Sequence, residues 1–542
     1  MSGADRRRRQ PARAGATGAV AAFAALSFSS LAGAATCESL KGTRFGDATI
    51  AAATPITPPF SVMAKDPPAP VAVNAPFCRI EGVIRPSADS DIKFEVWLPP
   101  AAAWNGKYEG VGNGGFAGSL IYPAMDWALQ GGYAVSATDT GHAGGALESH
   151  WALGHPEKIV DFGWRAIHET AVAAKAIVEA YYARPPAHAY FSGCSDGGRE
   201  ALMEAQRFPR DYDGIVAGAP ANAWSRLLTA AIADSQALAA TPESWLSPEK
   251  LGVVTAAALA ACHGEAGVLD DPGACRFDPA SLICKSGATA DCLTAPELAS
   301  LSRIYAGPKD AAGKSLFPGF PPGGEAGPAA WSLWITGTPP KRETGSLIYY
   351  FGTGFFGDMV FDTPEWDFRS LDLADGLAKA EAKTGPALDA TQTDLGPFKA
   401  AGGKLLQYHG WSDAAIPPAN SIAYYEQVAA GLGGVASIQP FYRLFLAPGM
   451  QHCGGGAAPN AVGGVFGAPP PVRDPAHDVV AALAHWVEDG AAPERITATL
   501  YRDGDPAKGV AGQRPWCPYP AVAHFSGAGS RADAAGWTCA AP

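Results

Sequence analysis

Charge is scarce in this 542-residue chain: Asp, Glu, Lys and Arg make up 17% of it, against 47% hydrophobic residues. That balance excludes a disordered protein, which would carry fewer apolar groups and more net charge. Basic residues are the rarer sign, 40 against 52 acidic ones, for a net charge of −12. Such acidity argues against nucleic acid or an anionic membrane surface as a partner. None of the ten cysteines makes a C-x-x-C spacing, so structural zinc is not expected. No internal repeat is evident, and past residue 34 no apolar run approaches the length of a membrane-spanning helix.

What is present begins with an address. Arg6 to Arg9 and Arg13 form a basic region, Ala14 to Leu31 is small and apolar, and Ala32-Gly33-Ala34 supplies an A-x-A cleavage site. Residues 1–34 therefore read as an export signal whose apolar stretch is too short and alanine-rich to serve as a membrane anchor. The paired arginines also permit a twin-arginine route. Export to the periplasm or the medium is expected, leaving a mature charge of about −16. All ten cysteines lie beyond the signal, and an even number in an exported chain argues for disulfides. Cys262 with Cys275, Cys284 with Cys292 and Cys517 with Cys539 are near pairs in sequence.

The stretch around which the rest is organised is Tyr190-Phe191-Ser192-Gly193-Cys194-Ser195-Asp196-Gly197-Gly198-Arg199. A β-prone run from His188 to Ser192 enters a G-x-S-x-G turn, and a helical pattern from Arg199 to Arg207 leaves it. That is the setting of a nucleophile elbow, with Ser195 exposed above a sheet edge. The backbone N–H of Asp196, at the start of the helix, is then placed to bind a developing oxyanion.

Alternating Ile92 to Leu98, then Lys107 to Gly112, Tyr133 to Thr138 and Gly214 to Pro220, read as further strands. A long amphipathic helix is expected over Phe162 to Tyr182, and the proline-rich Ala51 to Pro76 as surface loop with short strands. Strands alternating with helices imply an α/β fold with a mostly parallel sheet covered on both faces. The glycine cluster Gly112-Asn113-Gly114-Gly115-Phe116 follows a strand upstream of the elbow, where an α/β-hydrolase places its second oxyanion donor.

At this length the chain exceeds one small core, so an insertion or a second domain is expected. The rhythm breaks near Asn222, where a Gly-, Pro- and aromatic-rich segment with four cysteines begins, and it resumes at Lys404 to His409. Residues 35–221 and 398–542 are accordingly read as the catalytic domain and 222–397 as an inserted lid. Most lid aromatics are expected to be its core, with a few left to line a pocket.

A serine needs a base held by an acid, and on this fold the chain order is Ser, Asp or Glu, then His. His409-Gly410-Trp411-Ser412-Asp413 puts Asp413 just past one strand end, and His452 lies just past the next, Phe441 to Leu446. If Ser195 and His452 meet, Cys194 and Cys453 come within disulfide reach. Closing so long a loop stabilises by roughly 4–5 kcal/mol in the chain-entropy model. The rival reading makes Cys194 a thiolate nucleophile with His452 as its base.

These residues resemble the tannase and feruloyl esterase family, which includes fungal tannases, feruloyl esterases and bacterial mono(2-hydroxyethyl) terephthalate hydrolases. The likeness spans nearly the whole mature chain. It is carried by Gly193-Cys194-Ser195-x-Gly197-Gly198-Arg199, Met203 to Pro209, Asp213 to Pro220, His409-Gly410-x-x-Asp413 and His452-Cys453. The resemblance implies an α/β-hydrolase fold with a large lid and a serine esterase acting on small aromatic esters. Feruloyl or galloyl esters come first and terephthalate monoesters second. It implies Ser195 as nucleophile, His452 as base, Asp413 as its acid, and the N–H groups of Asp196 and Gly114 as oxyanion donors. It also implies the pairings Cys194–Cys453, Cys37–Cys78, Cys262–Cys275, Cys284–Cys292 and Cys517–Cys539.

One departure stands out. Relatives carry a calcium loop between the cysteines equivalent to Cys262 and Cys275. Here His263 to Pro272 is shorter and lacks most of the carboxylates a hard cation needs. A structural calcium is therefore expected to be absent or displaced, and no other cofactor is expected. For a substrate carboxylate, Lys341 and Arg342 are the basic lid candidates. Two other classes remain, a non-catalytic binding protein and a peptidase. The first is disfavoured by the presence of Ser195, Asp413 and His452, and an amide-versus-ester panel separates the second.

Overall fold

The computed structural model describes residues 35–541 except 66, 67, 286, 288 and 289, so the export signal read at 1–34 lies outside the described residues. A ten-stranded sheet forms the centre. From one edge to the other its strands are Arg44–Phe45, Ala48–Ile56, Phe77–Ile84, Ile92–Leu98, Ala134–Thr138, Lys107–Val111, His188–Cys194, Gly214–Gly218, Lys404–Gly410 and Tyr442–Ala447. The last six run parallel and the first four are antiparallel. Ala134–Thr138 and Gly214–Gly218 are buried at every residue, as strands covered by helices on both faces must be. This is the α/β-hydrolase fold that the strand and helix rhythm implied.

The helices Ala166–Tyr182, Asp196–Arg207 and Pro418–Gly431, with Tyr122–Gln130 and Val479–Asp489, flank the sheet. The helix expected to run unbroken from Phe162 instead opens with a turn of π-helix, Asp161–Arg165. The Phe162 and Gly163 carbonyls in that wide turn accept from the buried Arg199 guanidinium, at 3.0 and 2.6 Å.

The proline-rich N-terminal stretch is also more regular than expected. Ala48–Ile56 is a nine-residue strand of the central sheet, and Phe60–Lys65 pairs with Pro68–Val73 as a separate hairpin. Pro55 is tolerated because Gly42 to Phe45 covers the outer edge only from Ala48 to Ile50. Beyond them the edge is unpaired and a missing N–H costs nothing.

Between the neighbouring strands Gly214–Gly218 and Lys404–Gly410 lies the segment read as a lid. It is mainly helical, with Trp224–Leu238, Pro248–Ala261, Ala295–Ala306, Leu347–Gly354 and Leu373–Lys383 as its longer helices. Its largest apolar cluster is shared with the scaffold. Trp224, Ile232, Trp331, Phe355, Phe356 and Met359 pack together with Phe116 and Phe162, which belong to the scaffold. The insertion thus rests on the loops after the parallel strands, where ligands bind in open α/β sheets. Among the described residues no helix is long and apolar enough to cross a membrane.

Candidate active site

The strand His188–Cys194 ends in a sharp turn. Ser195 takes φ 65° and ψ −120°, and the helix Asp196–Arg207 starts at the next residue. Only glycine fits around it: a Cβ on Gly193 would lie 2.2 Å from the Gly197 carbonyl oxygen, and one on Gly198 2.3 Å from that of Gly218. Ser195 N–H donates to the Gly218 carbonyl (3.0 Å) and its own carbonyl accepts from Ala221. The backbone is pinned while the side chain of a strained residue stays partly exposed.

Two loops deliver the partners. His452, past the strand Tyr442–Ala447, places Nε2 2.8 Å from Ser195 Oγ. Asp413, past Lys404–Gly410, accepts the His452 Nδ1–H on Oδ2 at 2.8 Å. That bond sets the tautomer, leaving Nε2 free to accept the serine proton. Asp413 is also held by the N–H groups of Ala415 (2.8 Å) and Ile416 (2.9 Å) on Oδ1. Burial pushes its carboxyl up, but His452 and His409, by charge and hydrogen bonding, more than offset this and hold it well below the usual carboxylate range.

His409 belongs to the H-G-x-x-D motif, but sequence alone gave it no role. Its Nε2 donates to the Ile416 carbonyl (2.9 Å) and to Asp413 Oδ2 (3.1 Å), while Nδ1 accepts from Ser421 (2.7 Å).

The N–H of Asp196 and that of Gly114 have no acceptor among the described residues. The first is an orphan of a helix N-terminus. The second lies in the glycine cluster, which is anchored on the elbow. Gly197 N–H donates to the Asn113 carbonyl (3.0 Å), and Asn113 N–H donates to Glu200 Oε2 (2.9 Å). Beneath the elbow Asp196 pairs with Arg199, whose guanidinium also lies over Phe162 and Trp224. Burial, with the Asp196 charge added, pushes the Glu200 carboxyl up. Arg199 belongs to the elbow motif, but sequence alone gave neither its pairing with Asp196 nor the burial of Glu200 a role.

Cys194 and Cys453 form a disulfide, Cα to Cα 6.0 Å, that ties the elbow to the histidine loop. Four more join Cys37–Cys78, Cys262–Cys275, Cys284–Cys292 and Cys517–Cys539, and no described cysteine is free. A Cys194 thiolate is thereby ruled out. From the insertion, Trp334 sets its ring edge-on to His452 at 4.9 Å and stacks at 6.4 Å on Phe351, which meets Phe116. Arg342 lies over Trp245 and donates to the Pro242 carbonyl, while Lys341 reaches the Tyr350 hydroxyl.

The loop between Cys262 and Cys275 pairs its carboxylates with arginines. Asp270 accepts from Arg514 (2.7 Å), and Glu265 pairs with Arg531 (2.9 Å). Asp271 caps Ala274 N–H.

A serine, a histidine and a carboxylate in series, beside two unclaimed N–H groups, form an arrangement suited to acyl transfer. The tannase and feruloyl esterase family model matches residues 78–540. An uncharacterized esterase of Xanthomonas campestris pv. campestris is 41% identical over 530 residues, covering 93% of this chain and 91% of that protein. A probable feruloyl esterase B of Aspergillus clavatus is 32% identical over 476 residues, covering 86% and 87%. The crystal structure of feruloyl esterase B from Aspergillus oryzae superimposes with a TM-score of 0.84 at 28% identity, over 93% of this chain and 99% of that one. The chain belongs to the tannase and feruloyl esterase family, a family of carboxylic ester hydrolases.

Proposed function

We propose that this protein is an exported serine esterase that hydrolyses esters of aromatic carboxylic acids, feruloyl or galloyl esters foremost, through an acyl-enzyme on Ser195. The observation that carries the reading is the series Ser195 Oγ, His452 and Asp413 at 2.8 Å per link. Five disulfides support the exported setting.

Ser195 Oγ attacks the ester carbonyl carbon as His452 Nε2 takes its proton. The oxygen of the tetrahedral intermediate turns toward the N–H groups of Asp196 and Gly114, and Asp413 steadies the imidazolium. Collapse expels the alcohol, which leaves with the proton from Nε2. Water then gives a proton to Nε2 and adds to the acyl carbon; the acid departs and Ser195 regains its hydrogen. Losing one oxyanion donor costs on the order of 10²–10³ in rate.

Trp334, edge-on to His452, and Phe351 stacked behind it favour an aromatic acyl group. A terephthalate monoester is the second reading, and it calls for a cation at the far end of the acyl group. Arg342 is instead engaged by Trp245 and Pro242.

The test is initial rates of the mature protein on methyl ferulate, methyl gallate and mono(2-hydroxyethyl) terephthalate, beside Ser195→Ala. Turnover of one aromatic ester, lost in the variant, is expected. Failure on all three while a fluorophosphonate still labels Ser195 would overturn the substrate class and leave the nucleophile standing.

A further inference from the structure

Phe466 sits on the histidine loop fourteen residues past His452, in a glycine-rich run, at φ 64°. That backbone is costly for a bulky residue and persists where surroundings impose it, most often at functional sites. Its ring is nonetheless 48% exposed, so burial of the ring does not account for the strain. The ring lies against the oxyanion loop: a Cβ on Gly114 would come within 2.8 Å of it. The Cys194–Cys453 disulfide anchors the histidine loop, which carries Phe466, to the elbow. Phe466 is thus placed beside the Gly114 turn, at the edge of the Ser195 site.

Beyond Phe466 a groove of about 480 Å³ opens, within the ~300–1,000 Å³ range of small-molecule sites. Its walls come from the Phe60–Lys65/Pro68–Val73 hairpin, the start of the helix Tyr122–Gln130, and the loop carrying Phe466. Val71, Leu120, Ile121, Ala124 and Trp127 line it with Phe466; among the described residues Lys65 is its one charged side chain. An ester has two limbs. If the acyl limb lies against Trp334 and Phe351, as the function proposed above holds, the alcohol limb is left to run past Phe466.

We infer that this groove is the alcohol subsite, that Phe466 is the residue that selects at its mouth, and that it takes an apolar alkyl or aryl alcohol. A sugar alcohol is the poorer fit, because its hydroxyls need several polar partners and the groove offers little beyond Lys65. The inference rests on the aromatic-acyl reading.

Two ester series test it: ferulate as methyl, butyl and benzyl esters, and methyl esters of acetate, benzoate and ferulate. Each is run on the unmodified protein, on Phe466→Ala and on the groove-filling Ala124→Trp. The readout is the ratio of kcat/KM between two substrates on one preparation, so a partly unfolded variant does not disturb it. The unmodified protein should prefer butyl and benzyl over methyl ferulate. Ala124→Trp should lower those ratios at least tenfold, and Phe466→Ala should lower the benzyl-to-methyl ratio about fivefold through KM. Alcohol ratios that stay within twofold in both variants overturn the subsite, with ferulate turnover itself unaffected. A shift confined to the acyl series overturns it too, and with it the assignment of the acyl group to the insertion side. Absence of turnover of methyl ferulate, methyl gallate and mono(2-hydroxyethyl) terephthalate alike in the unmodified protein overturns the aromatic-acyl reading and the inference resting on it.

Discussion

His409 Nε2 stands 3.1 Å from Asp413 Oδ2, the oxygen that also accepts from His452 at 2.8 Å. One carboxylate oxygen thus holds two imidazoles, and only one of them faces Ser195. With its other nitrogen bonded to Ser421, His409 acts as a positioning residue for the acid. His409→Phe keeps the bulk and removes the bond. It should lower kcat about tenfold or more by letting Asp413 shift, with KM changed far less. An equal fall in Tm-matched binding and turnover would mark a merely structural role.

The Cys194–Cys453 bridge closes 259 residues of sequence separation around the site. Replacing both cysteines by serine should cost roughly 2–5 kcal/mol of stability. It should also lower kcat, because nothing else covalent fixes the histidine loop to the elbow. Both sulfurs are buried, Cys194 fully, so mild reductant on folded protein should leave activity intact. Rapid loss under those conditions would contradict the burial.

Glu109 lies inside the strand Lys107–Val111, buried, with one carboxylate oxygen lacking a partner. Burial pushes its carboxyl up to about 8, against about 4.3 in an unfolded chain. The folded state therefore keeps a proton that the unfolded state releases, and stability should fall as pH rises from about 4 to about 8. Glu109→Gln should remove roughly 2–4 kcal/mol of that dependence. Tm measured at pH 5 and pH 8 for both proteins checks it; parallel falls would show that another group is responsible.

Much of this site was legible because it is written in contiguous motifs. Ser195 sits in a strand-turn-helix run whose glycines are forced by 2.2–2.3 Å approaches. Asp413 and His452 each follow a strand. The parallel sheet was readable for the same reason, since its strands are short, apolar and regularly spaced. What escaped reading depends on contacts across the fold. Arg199 finds its carbonyls only because Asp161–Arg165 widens into a π turn. His409 acquires meaning only once Ser421 and Asp413 fold onto it. Phe466 meets Gly114 across some 350 residues of chain. The stretch Ala51 to Pro76 read as loop with short strands because its prolines gave no sign that Pro55 would lie in a sheet strand, paired with Cys78 on its inner side.

The loop between Cys262 and Cys275 should be indifferent to calcium. Its Asp270 and Glu265 are already matched by Arg514 and Arg531, whose guanidiniums also lie on Trp537. Chelator or millimolar calcium should move Tm by no more than about 1 °C, whereas Arg514→Ala, which removes a largely buried cation from Trp537 and takes its partner from Asp270, should lower it by several degrees. A calcium-dependent Tm would mean that carboxylates elsewhere hold the ion.

Trp334 is the sharpest test of the acyl group. It reaches from the insertion to within 4.9 Å of the His452 ring, edge to face, and stacks with Phe351. An aromatic acyl group entering beside it would gain a stacking partner worth about 0.5–1.5 kcal/mol beyond area burial. With the buried area added, roughly 1–3 kcal/mol should be lost in Trp334→Ala, or about 10- to 100-fold in kcat/KM. Trp334 also packs on His452, so acetyl esters will lose some activity as well. The ratio of methyl ferulate to methyl acetate turnover separates the two effects. Loss of selectivity for the aromatic ester places its ring against Trp334. Equal loss on both esters would leave Trp334 as a support for His452 alone and move the acyl pocket elsewhere.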